Sequence, residues 1–143
     1  MSSAIRQTLD TEGPLIKPGR RLVAVHPAAD PFTALTVMRR NEVRHLPVVD
    51  GDRCVGLLTE SDLLRALASG TSADELAAGA LCHRPAPTVP AGSSLQALAS
   101  AMIASDADAA LVVRDGVLVG MVTGSDVLGA VTSKWRARQE AST

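Results

Sequence analysis

The sequence predicts an α+β protein of two tandem β-α-β-β-α repeats that pack together about a pseudo-twofold axis. The first observation behind this prediction is a duplicated stretch: residues 56–62 read GLLTESD, and residues 120–126 read GMVTGSD. The second is that residues 25–69 and 89–133 align at the same offset without a gap. Self-similarity at a fixed period is the signature of a repeat. One such unit has too little sheet and helix to bury a core alone, so the two repeats are expected to share one.

The composition limits the functions that are open to the chain. It has 143 residues, of which 46% are hydrophobic and 20% are charged, as in a folded globular domain. The net charge of −1 argues against nucleic acid or an anionic membrane as a partner. With one Phe, one Trp and no Tyr, aromatic stacking is excluded as a main means of recognition.

The cysteines and the apolar runs indicate the compartment. Cys54 and Cys82 do not have the spacing of a zinc site. No apolar run approaches the roughly 20 residues of a membrane span, and the N-terminus has no apolar signal core. These features predict a cytoplasmic protein with reduced thiols, no bound metal and no membrane partner.

In the first repeat, residues 22–25 predict a short strand. Asp30 as N-cap and Pro31 at the first helical position then start a helix that runs to about Asn41. The elements predicted after it are a buried strand (residues 46–49), a tight turn (50–52), a return strand (54–58) and a helix (59–70).

A connecting helix is predicted from about residue 72 to residue 78, capped by Ser72. The second repeat then follows the order of the first. Its predicted elements are a strand (residues 88–89), a helix (94–103), a strand (110–113), a turn (115–116), a strand (117–122) and a helix (124–135). The predicted domains are accordingly an N-terminal arm (residues 1–20), the first repeat (21–70), a linker (71–84), the second repeat (85–134) and a tail (135–143).

The duplicated stretch ends in four residues that we call the first corner (residues 59–62) and the second corner (residues 123–126). Each corner places a Thr, a Ser and an Asp where a buried strand turns into a helix. Backbone N–H groups at a helix start can receive an anion, and a carboxylate can bind hydroxyl groups. The same residues also fit a capping box, in which the Thr caps the helix and the acid reaches back. Both interpretations are open at this point.

The sequence resembles a known family at these residues. VRHLPVVD at residues 43–50 and GLLTESDLL at residues 56–64 are similar to a CBS domain, and the two repeats together resemble a CBS pair, or Bateman module, over roughly residues 21–133. The resemblance implies a regulatory, non-catalytic protein that binds adenosine-containing ligands (AMP, ADP, ATP or S-adenosylmethionine) in clefts between the repeats and requires no cofactor. It also implies a homodimer, a flat disc of four repeats, that signals to an unknown effector protein.

The resemblance implies a role for each matching position. In the family the corner Asp binds the ribose hydroxyls, the corner Thr and Ser line the ribose or phosphate region, basic residues before the middle strand meet phosphate, and apolar residues of the first strand hold adenine. The implied ligand contacts in the first repeat are Val25, Pro27, Arg44, His45, Pro47, Thr59, Ser61 and Asp62. Those in the second repeat are Val89, Thr123, Ser125 and Asp126.

The two repeats differ just before the middle strand, where Asp108-Ala109 replaces Arg44-His45. An Arg–phosphate contact is a charge-assisted hydrogen bond, and a carboxylate in its place repels phosphate. We therefore expect a nucleotide to prefer the site that Arg44 faces, and Asp62→Ala to weaken binding more than Asp126→Ala.

Two other function classes compete with nucleotide sensing. The first is a structural dimerisation or interaction module with no nucleotide bound, which the scarcity of aromatic residues and the missing second basic pair both favour. The second is an enzyme. No Ser-His-Asp, Cys-His or metal constellation appears in the sequence, so we do not expect catalysis.

Overall fold

A computed structural model describes residues 22–70 and 72–142, so the N-terminal arm predicted for residues 1–20 lies outside the described part. Within that part, residues 22–86 form one compact unit and residues 87–142 form another. The helices and strands of the first unit are α1 (Pro31–Arg40), β1 (His45–Asp50), β2 (Arg53–Thr59), α2 (Glu60–Ala68) and α3 (Ala78–Leu81). Those of the second unit are β3 (Thr88–Pro90), α4 (Leu95–Ala104), β4 (Ala109–Arg114), β5 (Val117–Thr123) and α5 (Gly124–Ser142).

The sheet of the first unit is an antiparallel pair, β1 with β2. Val48 lies opposite Gly56 and Val49 opposite Cys54, so Val55 is an extra residue that makes a bulge in β2. The turn between the strands is tight, and Gly51 supplies the positive φ of 62° that it requires. The hairpin predicted at residues 50–52 is confirmed.

The strand predicted at residues 22–25 is wrong in length, because Val25 alone makes a β-bridge. Its N–H donates to the carbonyl of Pro47 at 3.0 Å, and its own carbonyl accepts from Val49 at 2.9 Å. The chain then turns: the N–H of Ala28 donates to Nδ1 of His26 at 3.0 Å, which ends the ladder after one bridge.

The second unit shows the predicted β-α-β-β-α order in full. Its sheet has the strand order β3-β4-β5, with β3 parallel and β5 antiparallel to β4. The register repeats that of the first unit, since Val112 lies opposite Gly120 and Val113 opposite Leu118, which again leaves one residue bulged. The internal repeat read from the sequence is therefore present in the hydrogen-bond ladders as well.

Each unit has its own apolar cluster beneath its helices. In the first unit, the buried members are Val25, Ala34, Met38, Leu46, Val48, Leu58, Leu63 and Ala78. In the second unit they are Val89, Leu98, Met102, Ala110, Val112, Val119, Val122 and Val127. The helices above these clusters start as predicted, since Asp30 accepts from the N–H of Thr33 at 2.8 Å and Ser94 accepts from that of Ala97 at 3.1 Å.

Two helix predictions need correction. The connecting helix predicted at residues 72–78 is a 3₁₀ helix, Ala73–Leu76, followed by α3. Helix α3 packs against Pro27. The N–H of Gly79 donates to the carbonyl of Pro27 at 2.8 Å, and a Cβ on Gly79 would lie 2.9 Å from the Cβ of Pro27. The last helix continues beyond residue 135 to Ser142, because its final residues are mostly good helix formers.

Candidate functional site

The first corner forms a complete capping box at the start of α2. The hydroxyl of Thr59 accepts from the N–H of Asp62 at 3.1 Å, and Oδ2 of Asp62 accepts from the N–H of Thr59 at 2.9 Å. Two N–H groups that the helix cannot satisfy are thereby paired. The conformation of the corner is fixed by the chain itself, and Ser61 between these residues is exposed.

The second corner repeats this geometry at the start of α5. The N–H of Thr123 donates to Oδ2 of Asp126 at 2.9 Å, and the N–H of Asp126 donates to the hydroxyl of Thr123 at 3.2 Å. Ser125 is exposed, like Ser61. The capping interpretation of both corners is therefore confirmed, and each corner also presents an exposed hydroxyl.

The residue before the middle strand lies beside the corner in both units. The carbonyl of Arg44 accepts from the N–H of Glu60 at 3.0 Å, and the carbonyl of Asp108 accepts from the N–H of Gly124 at 2.7 Å. The side chain of Arg44 is exposed, whereas His45 is only 8% exposed and lies opposite Thr59 in the ladder. The first corner therefore has a cation next to its helix start, and the second corner has a carboxylate there.

The apolar candidates lie on or next to the middle strand of each sheet. Val25 bridges to β1, Pro47 is fully buried within β1 opposite Leu57, and Val89 bonds to β4. Pro27 is half-buried beneath α3. One strand therefore separates Val25 and Val89 from the strand that ends in the corner, whereas Pro47 lies directly beside that strand.

Two further side chains of the first corner were missed in the sequence. The guanidinium of Arg65 lies 2.9 Å from Oδ1 of Asp62, and Nε2 of His83 lies 3.2 Å from the same oxygen. The Asp62–Arg65 spacing of i, i+3 on one helix was a usable signal. His83 gave none, since it lies in the linker and reaches the corner through tertiary structure.

A surface cavity of about 400 Å³ opens at the end of α4 in the second unit. It is lined by Met102, Ile103, Asp106, Ala107 and Asp108. Two of the five lining residues are acidic, so the surroundings of Asp108 disfavour a phosphate. The acidic cavity and the replacement of Arg44 by Asp108 both make the second corner less favourable for a phosphate than the first.

Cys54 and Cys82 are both free thiols. Burial raises the pKa of Cys54, the charge of Cys82 adds to the increase, and a backbone hydrogen bond at Gly56 opposes it. In residues 22–70 and 72–142, no group of three or more His, Cys, Asp and Glu side chains is placed to hold a metal ion. Across the same residues, none of the helices is both long and apolar enough to cross a bilayer.

The chain matches the family model described as CBS domain twice, over residues 16–69 and 78–133. It is similar in structure to a CBS-domain protein from Burkholderia ambifaria MC40-6, with 23% identity and a TM-score of 0.75, covering 84% of this chain and 90% of that one. It is also similar to CBSX2 in complex with AMP, with 26% identity and a TM-score of 0.68, covering 86% and 96%. A CBS domain pair in complex with 5′-methylthioadenosine and S-adenosyl-L-methionine shares 21% identity at a TM-score of 0.72, covering 91% and 96%.

Proposed function

The chain belongs to the CBS domain family, with two copies in tandem, and from this we propose that it binds an adenosine-containing ligand and passes the resulting change to an effector protein. CBS pairs are regulatory modules, and the ligand classes proposed are AMP, ADP, ATP and S-adenosylmethionine. The similar protein CBSX2 was crystallised with AMP, which supports a nucleotide. A response to the AMP to ATP ratio would make the module an energy sensor in the cytoplasm.

The observation that carries the proposal is the position of Arg44 beside the first corner. Its carbonyl accepts from the N–H of Glu60, the first residue of α2, and its side chain is exposed. A phosphate placed there meets a guanidinium, the hydroxyls of the corner and the positive end of the helix. Asp62 supplies carboxylate oxygens for the ribose hydroxyls. The second corner offers the same Thr, Ser and Asp without the cation.

We expect Arg44→Ala to weaken AMP binding by about tenfold or more, because a hydrogen bond to a charged group is lost. Isothermal titration with AMP measures this. Arg53→Ala is the matched control, since Arg53 is an exposed arginine at the opposite end of β2 from Thr59 and should leave the affinity unchanged. Equal losses in the two variants would contradict the phosphate role of Arg44.

A thermal-shift screen tests whether any ligand of this class binds. AMP, ADP, ATP and S-adenosylmethionine are added separately to the wild-type protein. A ligand at about 100 times its Kd adds roughly 2.7 kcal/mol to the free energy of unfolding. If none of the four raises the melting temperature, the structural dimerisation module becomes the better proposal.

Exposed apolar stripes support self-association, which fits either function. On α2 the stripe is Leu64 and Leu67, and on α5 it is Leu128, Val131 and Trp135. The α2 residues are spaced i, i+3, and the first two α5 residues stand at the equivalent positions of the second repeat. A second copy of the chain presents stripes of the same kind, and a twofold interface needs such a self-complementary surface. We propose a homodimer, the flat disc of four repeats, that covers these stripes.

Leu128→Asp is expected to convert a dimer into a monomer, because it places a charge in the α5 stripe. Light scattering coupled to size exclusion gives the mass: twice the chain mass for the wild type and one chain mass for the variant. Ile103→Asp is the control, since Ile103 is 82% exposed but lies on α4, outside both stripes. A monomeric wild type, or a dimer that survives Leu128→Asp, would exclude this interface.

A further inference from the structure

The segment after α3 is held at the edge of the first sheet. The N–H of His83 donates to the carbonyl of Leu57 at 2.8 Å, and the N–H of Leu57 donates back at 3.2 Å. His83 therefore pairs with β2 on the side away from β1. Gly56 permits this approach, because a Cβ there would lie 2.5 Å from the His83 carbonyl oxygen. The backbone of His83 is thus positioned by β2.

The imidazole of His83 reaches the carboxylate that the proposed function assigns to ribose. Nε2 lies 3.2 Å from Oδ1 of Asp62, and the contact is an ion pair when the imidazole is protonated. The same oxygen accepts a hydrogen bond from Arg65 at 2.9 Å, and Oδ2 accepts from Thr59. Asp62 is only 7% exposed. Both of its oxygens are engaged before any ligand arrives.

The second corner lacks part of this arrangement. The position equivalent to Arg65 is Gly129, which has no side chain to reach Asp126. Asp126 is also more exposed than Asp62. The engagement of the carboxylate by Arg65 and His83 is therefore a feature of the first corner, where Arg44 also lies.

A ribose cis-diol binds a carboxylate by donating its hydroxyls to the carboxylate oxygens. At Asp62 it meets a contact that is already made. We propose that His83 competes with the cis-diol for Oδ1 of Asp62, so that ligand binding at the first corner displaces His83 and loosens residues 82–84 from β2. This inference rests on the proposed function, and it identifies the segment through which that function is signalled.

The two side chains that contact Oδ1 of Asp62 are attached to the fold in different ways. Arg65 is on the same helix as Asp62 and its side chain is 70% exposed, so it can reorient without moving backbone. The side chain of His83 is shorter and 52% exposed, and its backbone is paired with Leu57, so we expect a ligand that takes Oδ1 to weaken this pairing. A ligand shifts the equilibrium between two states only if it binds one of them more tightly. The state in which His83 contacts Oδ1 must therefore bind the cis-diol less tightly than the state in which Oδ1 is released.

The test is AMP titration of the wild-type chain and of His83→Ala, together with hydrogen exchange of residues 57 and 83. We expect His83→Ala to bind AMP about three- to tenfold more tightly, the effect of removing a partly exposed competing contact. In the wild type, AMP should accelerate exchange of the His83 amide. Arg53→Ala is the control, because Arg53 is an exposed basic residue at the opposite end of β2 from Thr59. It should leave the affinity unchanged.

A second ligand separates competition from a general change in the site. With 2′-deoxy-AMP, which lacks the cis-diol, wild type and His83→Ala should bind with equal affinity. Weaker AMP binding by His83→Ala would show that His83 contacts the ligand, and this outcome or an unchanged affinity overturns the inference alone. If neither protein binds AMP, ADP, ATP or S-adenosylmethionine, the proposed function fails together with the inference. If only His83→Ala binds AMP, both are supported.

Discussion

Replacing Leu58 by alanine is expected to lower the free energy of unfolding by about 2–5 kcal/mol. Leu58 is 0% exposed and lies opposite Leu46, in the apolar cluster beneath α1 and α2. The substitution removes buried methyl groups and leaves a cavity that the surrounding ladder cannot close. Because domains of this size have free energies of unfolding of roughly 5–15 kcal/mol, such a loss is a large share of the total. Urea denaturation followed by circular dichroism measures it.

Ile103→Ala provides the matched control for Leu58→Ala. It removes the same number of carbon atoms, but Ile103 is 82% exposed on α4 and lies outside both apolar stripes. Its cost should stay within about 0.5 kcal/mol, as for most surface substitutions. Similar losses in the two variants would mean that the cluster beneath α2 does not form the core of the first unit.

Gly56→Ala should destabilise the chain by about 1–3 kcal/mol, because the added methyl group cannot be accommodated. It would lie 2.5 Å from the carbonyl oxygen of His83 and 2.6 Å from Sγ of Cys82. One of these atoms is backbone, so the segment that carries His83 must move away from β2. We expect a lower melting temperature and faster hydrogen exchange at Leu57, whose N–H loses its partner.

The control for Gly56→Ala is the same substitution at another glycine. Gly129 lies within α5, and a Cβ there meets nothing within 4 Å. Alanine is favoured over glycine inside a helix by about 0.5–1 kcal/mol, so Gly129→Ala should leave stability unchanged or raise it. A Gly56→Ala protein with wild-type stability and a protected Leu57 amide would show that the His83 segment is not held as closely as described.

The features that the sequence predicted correctly are those set by local chemistry. Asp30 and Ser94 start helices because their side chains accept from N–H groups three residues on. The hairpin at Gly51 follows from a glycine between two apolar runs. The constant offset of the repeats predicted that the second unit follows the β-α-β-β-α order of elements along the chain. In each case the determining residues are within a few positions of one another, or are duplicated.

The features that the sequence did not predict depend on contacts between distant residues. The strand before α1 shrinks to one bridge at Val25, because the turn at His26 immediately follows it. The connecting helix breaks in two, and Gly79 packs on Pro27. The residues proposed for the ligand follow from the resemblance to CBS domains. No residue near Asp62 in the sequence indicates that His83 approaches it.

The pairing of His83 with Leu57 also determines where a fragment that contains the first repeat should end. The duplicated segment closes with α2, but the hydrogen bonds of β2 on its outer edge are completed by a residue encoded after that helix. A gene fragment that stopped at residue 70 would expose an unpaired strand edge, which favours aggregation. A first-half fragment intended for separate expression should therefore extend past His83, so that the module boundary in protein engineering differs from the boundary of the duplication.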